Sequence, residues 1–177
     1  MDYAKTQGGI LMPLNELEIG GKFTIEHWRA GELLDRDESP NIVVNEGLNN
    51  ILDVMFHGAT QITTWYIGIF EANYTPVATV TAATITAAST ESTAYAEGTR
   101  VEYVEAAASG QSITNAASKA TFTMNATKTI YGAFLVSASA KSATTGVLFA
   151  ASKFGSSKAV TSGDELLVTY QLNASSV

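Results

Sequence analysis

The stretch Ile62-Thr-Thr-Trp-Tyr-Ile-Gly-Ile-Phe-Glu71 decides the fold. Trp65, Ile67 and Ile69 alternate with Tyr66, Gly68 and Phe70, and both sets are largely apolar. A strand with one wet face alternates apolar with polar residues, whereas one apolar on both faces is covered on both sides. The stretch therefore reads as a central strand of a sheet that is packed above and below.

Downstream, the chain is a succession of short Thr/Val/Ala/Ser runs separated by Gly, Asn and Ser turns. Strands are expected over 99–105, 119–125, 129–137, 145–151 and 165–172, the last entered from the turn Ser162-Gly163-Asp164. In 119–125, Ala120, Phe122 and Met124 alternate with Thr121 and Thr123. Residues 73–80 read as a loop around Pro76, and 84–96 as a short helix or an irregular excursion. Upstream, a strand is expected over 22–28, a return strand over 32–35, and a hairpin around Arg29-Ala30-Gly31. A polar loop, 37–40, then leads to an extended run, 41–44. Strands at this spacing with turn signals between them predict an all-β, antiparallel β-sandwich, jelly-roll-like.

One internal α-helix interrupts the strands, over 45–57. Asn45 occupies the expected N-cap, Glu46 complements the dipole in the first turn, and Gly58 closes the helix. Leu48, Ile51, Leu52, Met55 and Phe56 recur at helical spacing, a stripe expected to pack on the core as a plug over one end or face of a sheet. Residues 1–21 read as an extended N-terminal arm before a sandwich domain of residues 22–177. Gly8-Gly9 and Gly20-Gly21 bracket Ile10, Leu11, Met12, Leu14, Leu17 and Ile19, a segment too short to build its own core.

Composition narrows the function. At 177 residues with 46% hydrophobic content the chain holds a core without staples. Ten basic against 17 acidic residues give a net charge of -7, opposite to the basic stripe that nucleic-acid binding requires. There is no Cys, so neither a disulfide framework nor a thiolate metal site is available. No secretory leader and no apolar membrane span are recognised, which predicts a soluble chain. Between residues 106 and 163 no acidic residue occurs, while Lys119, Lys128, Lys141, Lys153 and Lys158 are spaced through it. They read as scattered solvated lysines or, more sharply, as one basic face that docks on an acidic scaffold.

Chemistry-bearing residues are few. The two histidines, His27 and His57, stand apart, and no G-x-S-x-G elbow accompanies the serines. Glu102 and Glu105, or Asp164 and Glu165, would have to be assembled by the fold to serve as a carboxylate pair. Asp35, Asp37 and Glu38 are the best metal candidate, set against an ordinary solvated acidic loop. Tyr74, Tyr95 and Tyr103, near Asn73 and Glu102, could stack sugar rings or pack at a subunit interface. No cofactor is expected.

The segment Asn41-Ile-Val-Val-Asn-Glu-Gly-Leu-Asn-Asn-Ile-Leu-Asp53, followed by Thr64-Trp-Tyr-Ile-Gly-Ile-Phe70, resembles small virion proteins of tailed bacteriophages. Thr99-Arg-Val101, Ile130-Tyr-Gly-Ala-Phe-Leu135, Gly146-Val-Leu-Phe149 and the phrase from Ser162 to Tyr170 extend the likeness. The resemblance implies a non-enzymatic capsid decoration (cement) protein on the virion surface, with the major capsid protein and its own copies, as a homotrimer, for partners. A tail, head-fibre or adhesin module that binds a host glycan is the alternative. An apolar arm that pairs with a neighbour by strand addition fits the first expectation.

Overall fold

The computed structural model describes residues 3–5, 11–13 and 17–176. The strands are β1 (Tyr3–Lys5), β2 (Leu11–Pro13), β3 (Leu17–Arg29), β4 (Glu32–Pro40), β5 (Ile42–Val43), β6 (Trp65–Phe70), β7 (Val101–Tyr103), β8 (Ser112–Thr114), β9 (Ala120–Thr123), β10 (Lys128–Val136), β11 (Leu148–Val160) and β12 (Glu165–Ser176). Helix α1 (Asn45–Phe56) lies between β5 and β6, and α2 (Ala82–Ser89) between β6 and β7. One sheet runs β4-β3-β12-β8, with β9 also on β12; the other runs β5-β11-β10-β6-β7. Every pairing among these strands is antiparallel. The chain is an all-β sandwich.

The core lies between the sheets. Phe23, Ile25, Phe122, Leu166 and Val168 of one face Ile67, Ile69, Ile130, Ala133 and Leu135 of the other, all buried. The double coverage expected of β6 is present. Ile67 and Ile69 point into this core, while Phe70 packs on the outer side with Phe134, Val136 and Leu148 under Ala82 and Ile85 of α2. Helix α2 is a second helix, placed where 84–96 was ambiguous. Its Ala/Thr sequence carries no apolar stripe, and a reciprocal Thr81–Thr84 capping box starts it.

The first hairpin turns at Ala30 and Gly31, both at positive φ, as a two-residue turn that matches strand twist requires. The polar loop expected at 37–40 is instead the end of β4. Its charged residues belong to an edge strand, where charge blocks pairing with foreign strands. The strand expected from residue 22 begins at Leu17, paired in register as far as Ser176. Residues 17–21 therefore belong to β3 and not to an arm. Ile10 and Leu14 lie outside the described residues, whereas Leu11 and Met12 fall in β2, which pairs with β1.

The candidate surface and the buried charges

Helix α1 departs most from expectation. It starts after Val44, which makes no side-chain cap, so Asn45 is the first helical residue and not the cap. Glu46 supplies the anchor instead. Its Oε2 accepts from the amides of Ala82 and Leu148, both at 2.8 Å, tying α1 to α2 and β11. Gly47 is the buried residue of the helix, seated on the backbone of Phe149. Ile51 packs against the core. The rest of the stripe does not: Leu48 is 37%, Leu52 56%, Met55 67% and Phe56 82% exposed. The inward line, the buried Gly47 and the half-buried Ile51 and Val54, sits beside the stripe, not along its middle. Periodicity located the apolar face, but the helix is rolled so that one flank of it meets solvent.

A cleft of about 180 Å³ opens between the two sheets, lined by residues of β6, β7, β8, β10, β11 and β12. Trp65, Tyr103, Phe149 and Tyr170 wall it, and Leu172 of β12 and the exposed Glu105 line it as well. The Trp65 and Phe149 rings meet edge-on at 5.6 Å, and Tyr103 and Tyr170 at 5.8 Å. Phe149 joins cleft to helix, its ring lining the one and its backbone supporting Gly47 of the other.

The five lysines do not form one basic face. Lys158 is buried and donates to Asp35 and to Ser156 Oγ, with Asp37 3.8 Å away. Lys119 pairs with Glu26 at 2.7 Å, on the opposite sheet from Lys128, which pairs with Glu71 at 2.9 Å. Lys141 lies over the Tyr95 ring at 3.7 Å and donates to the Tyr95 carbonyl, and burial pushes its pKa down. Lys153 is half-buried on β11, opposite Gly132. Four of the five are thus engaged within the chain: a lysine near a carboxylate or carbonyl that folding brings close satisfies itself there.

The acidic candidates are spoken for in the same way. Asp35 and Asp37 flank Lys158, whose hydrogen bond holds the Asp35 carboxyl below its ordinary range. Glu38 pairs with Lys22 and Arg36. Among the described residues no group of three or more His, Asp or Glu is placed to hold a metal.

Asp164 is buried at the turn into β12. It takes two hydrogen bonds from Arg29, at 2.7 Å each, one from the Thr161 amide at 2.8 Å, and lies 2.8 Å from His27 Nε2. Arg29 foremost, against the opposing effect of burial, holds its carboxyl well below the carboxylate range. His27 is therefore a buried partner of Asp164, while His57 ends α1 with its amide on the Asp53 carbonyl. Glu102 is exposed on β7, and Glu165 is exposed beside Asp164. The tyrosine platform is not assembled. Tyr95 and Tyr103 are buried in the core between the sheets, where burial pushes both phenols up, and Tyr74 packs on Phe70 outside it.

A further ion pair escaped the sequence reading. Arg100 and Glu91 are both buried and joined by two hydrogen bonds of 2.8 and 2.7 Å. Arg100 also donates to the carbonyls of Ala138 and Ala143, and its guanidinium lies 5.3 Å from the Phe134 ring centre. The only signal was a lone Arg in an otherwise uncharged run, Gly98-Thr-Arg-Val101.

No protein-family model matches the chain, and no curated protein matches it in sequence.

Proposed function

We propose that this chain is a structural, non-enzymatic protein of a tailed-phage virion that binds the capsid exterior and stabilises the head, acting as a homotrimer. The observation that carries the reading is the uncovered apolar flank of α1. Large apolar side chains exposed at successive helical positions mark a surface built to be covered by protein. Two features support it. Most of the basic residues are paired within the chain, which leaves no basic face as the means of recognition. The helix that presents the flank contains the Asn45-Glu-Gly-Leu-Asn49 phrase on which the resemblance to phage virion proteins rests. Weak contacts repeated by a cyclic assembly over a symmetric shell sum to tight binding.

The test is cosedimentation of the purified protein with shells of its phage that lack accessory proteins, with the shells' thermal transition read in parallel. Saturable binding with an upward shift of the shell transition is expected. A protein that stays in the supernatant at saturating shell concentration overturns the reading.

A further inference from the structure

We infer that the cleft between the sheets is the receptor for a lysine side chain of the protein on which this chain docks. The inference rests on the reading of the chain as a shell-binding protein and gives that contact a chemistry, without using the α1 flank. The buried walls of the cleft are Tyr103, Leu135, Phe149 and Tyr170, with the half-buried Trp65 beside them. Their hydroxyls are committed within the fold. Tyr103 Oη donates to the Tyr170 carbonyl at 3.4 Å, and Tyr170 Oη accepts from Asn41 Nδ2 at 3.1 Å. The exposed lining is polar instead: Gln61, Thr63 and Glu105. Glu105 is the one charged residue of the lining, and no basic side chain of residues 17–176 pairs with it. Burial foremost, and the Glu105 charge after it, push the Tyr103 phenol up, which sets that carboxylate against the cleft wall.

An occupant of such a cleft joins an apolar stem to a cationic head. A cavity of about 150 Å³ takes a benzene molecule. The cleft, at about 180 Å³, therefore has room for the methylene stem of a lysine and its ammonium. The stem leaves water against aromatic walls, whose ring faces also attract a cation. A sugar would find the hydroxyls of the buried walls already committed, and Glu105 repels an anion. Of the two cationic side chains, lysine has the longer apolar stem and the more compact head. The chain itself is a poor source of that lysine. Lys22, Lys119, Lys128, Lys141 and Lys158 are all engaged within the fold. A net charge of -7 directs the chain toward a partner that presents basic side chains.

The probe is Nα-acetyl-lysine N-methylamide, titrated into the protein while the Trp65 indole resonance is followed by NMR. Trp28→Phe assigns that resonance, since Trp28 and Trp65 are the two tryptophans. A saturable shift in the millimolar range is expected for a fragment of this size. The norleucine counterpart, which lacks the ammonium, is expected to bind about fivefold more weakly, and so is the lysine probe to Glu105→Gln, the strength of one ion pair at an exposed rim. Glu102→Gln, exposed on β7 outside the cleft lining, is expected to change nothing. No saturable shift, norleucine binding as tight as lysine, or undiminished binding by Glu105→Gln overturns the inference. In cosedimentation with shells, Glu105→Gln is expected to bind measurably more weakly than wild type, with an unshifted unfolding midpoint. Equal binding of the two proteins removes this inference alone and leaves the capsid reading standing. A wild type that takes the lysine probe but not the shells removes the capsid reading and leaves the lysine site standing.

Discussion

Arg100 and Glu91 form the ion pair most completely removed from water among the described residues. Such a pair is tolerable because every polar atom has a partner: two carbonyls complete the guanidinium, and the Ser142 amide adds a third donor to Glu91. Removing one member strands the other in a medium that cannot solvate it. Arg100→Met is therefore expected to lower unfolding free energy by about 3–5 kcal/mol. Lys22→Ala, which breaks an exposed pair with Glu38, should change it by less than about 1 kcal/mol. Urea denaturation of the two variants measures the contrast. Composition could not separate these cases, because a lysine or arginine looks the same in sequence whether it meets water or a buried carboxylate. The five lysines of 106–163 were legible as a charge pattern, yet what each touches depends on strands far away in sequence. Lys119 meets Glu26 and Lys158 meets Asp35.

At the scale of the element, α1 shows what periodicity conveys and what it omits. Spacing located the helix within one residue at each end and identified its apolar side. It did not reveal how the helix is rolled, because Gly47 sets that. A Cβ at position 47 would lie 2.5 Å from the Phe149 carbonyl oxygen and 2.8 Å from its Cα, both backbone atoms that cannot swing aside. Gly→Ala inside a helix normally stabilises by about 1 kcal/mol. Here the sign should reverse, with Gly47→Ala losing about 1–3 kcal/mol through overpacking, as thermal unfolding would show. A stabilised Gly47→Ala protein would mean that the helix is not pressed against β11. Strand boundaries were legible where alternation was strict, as in β9, whose Phe122 faces the core as expected. They were lost where a strand carries charge or small polar residues, as at the end of β4 and in the Ser152–Lys158 portion of β11. Apart from Phe154, which is buried in the core, those portions are held by pairing and polar contacts, which leave no mark on a single segment.

At the scale of the molecule, the ionised groups set how stability depends on pH. Asp164 and Asp35 both have folded-state carboxyls below the unfolded value near 3.9. A depressed carboxyl contributes stability that is present above its unfolded pKa and is lost as pH falls through the folded one. Asp164, being buried, dominates, while the half-exposed Asp35 is partly screened. Urea midpoints are therefore expected to be level above about pH 5 and to fall steeply below about pH 4. Asp164→Asn should lose about 2 kcal/mol at neutral pH and show a shallower acid decline. An unchanged acid limb in that variant would place the sensitivity elsewhere. The register of β3 on β12, which joins Leu17 to Ser176, carries a consequence of another kind. The central pair of one sheet unites residues 17–28 with 165–176, so a ribosome must release the chain through Ser176 before that pairing can be complete. Until then β3, paired with β4 on one side, offers its other edge unpaired. Closing so long a loop places folding in the slow, millisecond-to-second class of β topologies. For that interval the nascent chain depends on chaperones to keep that edge from finding a stranger.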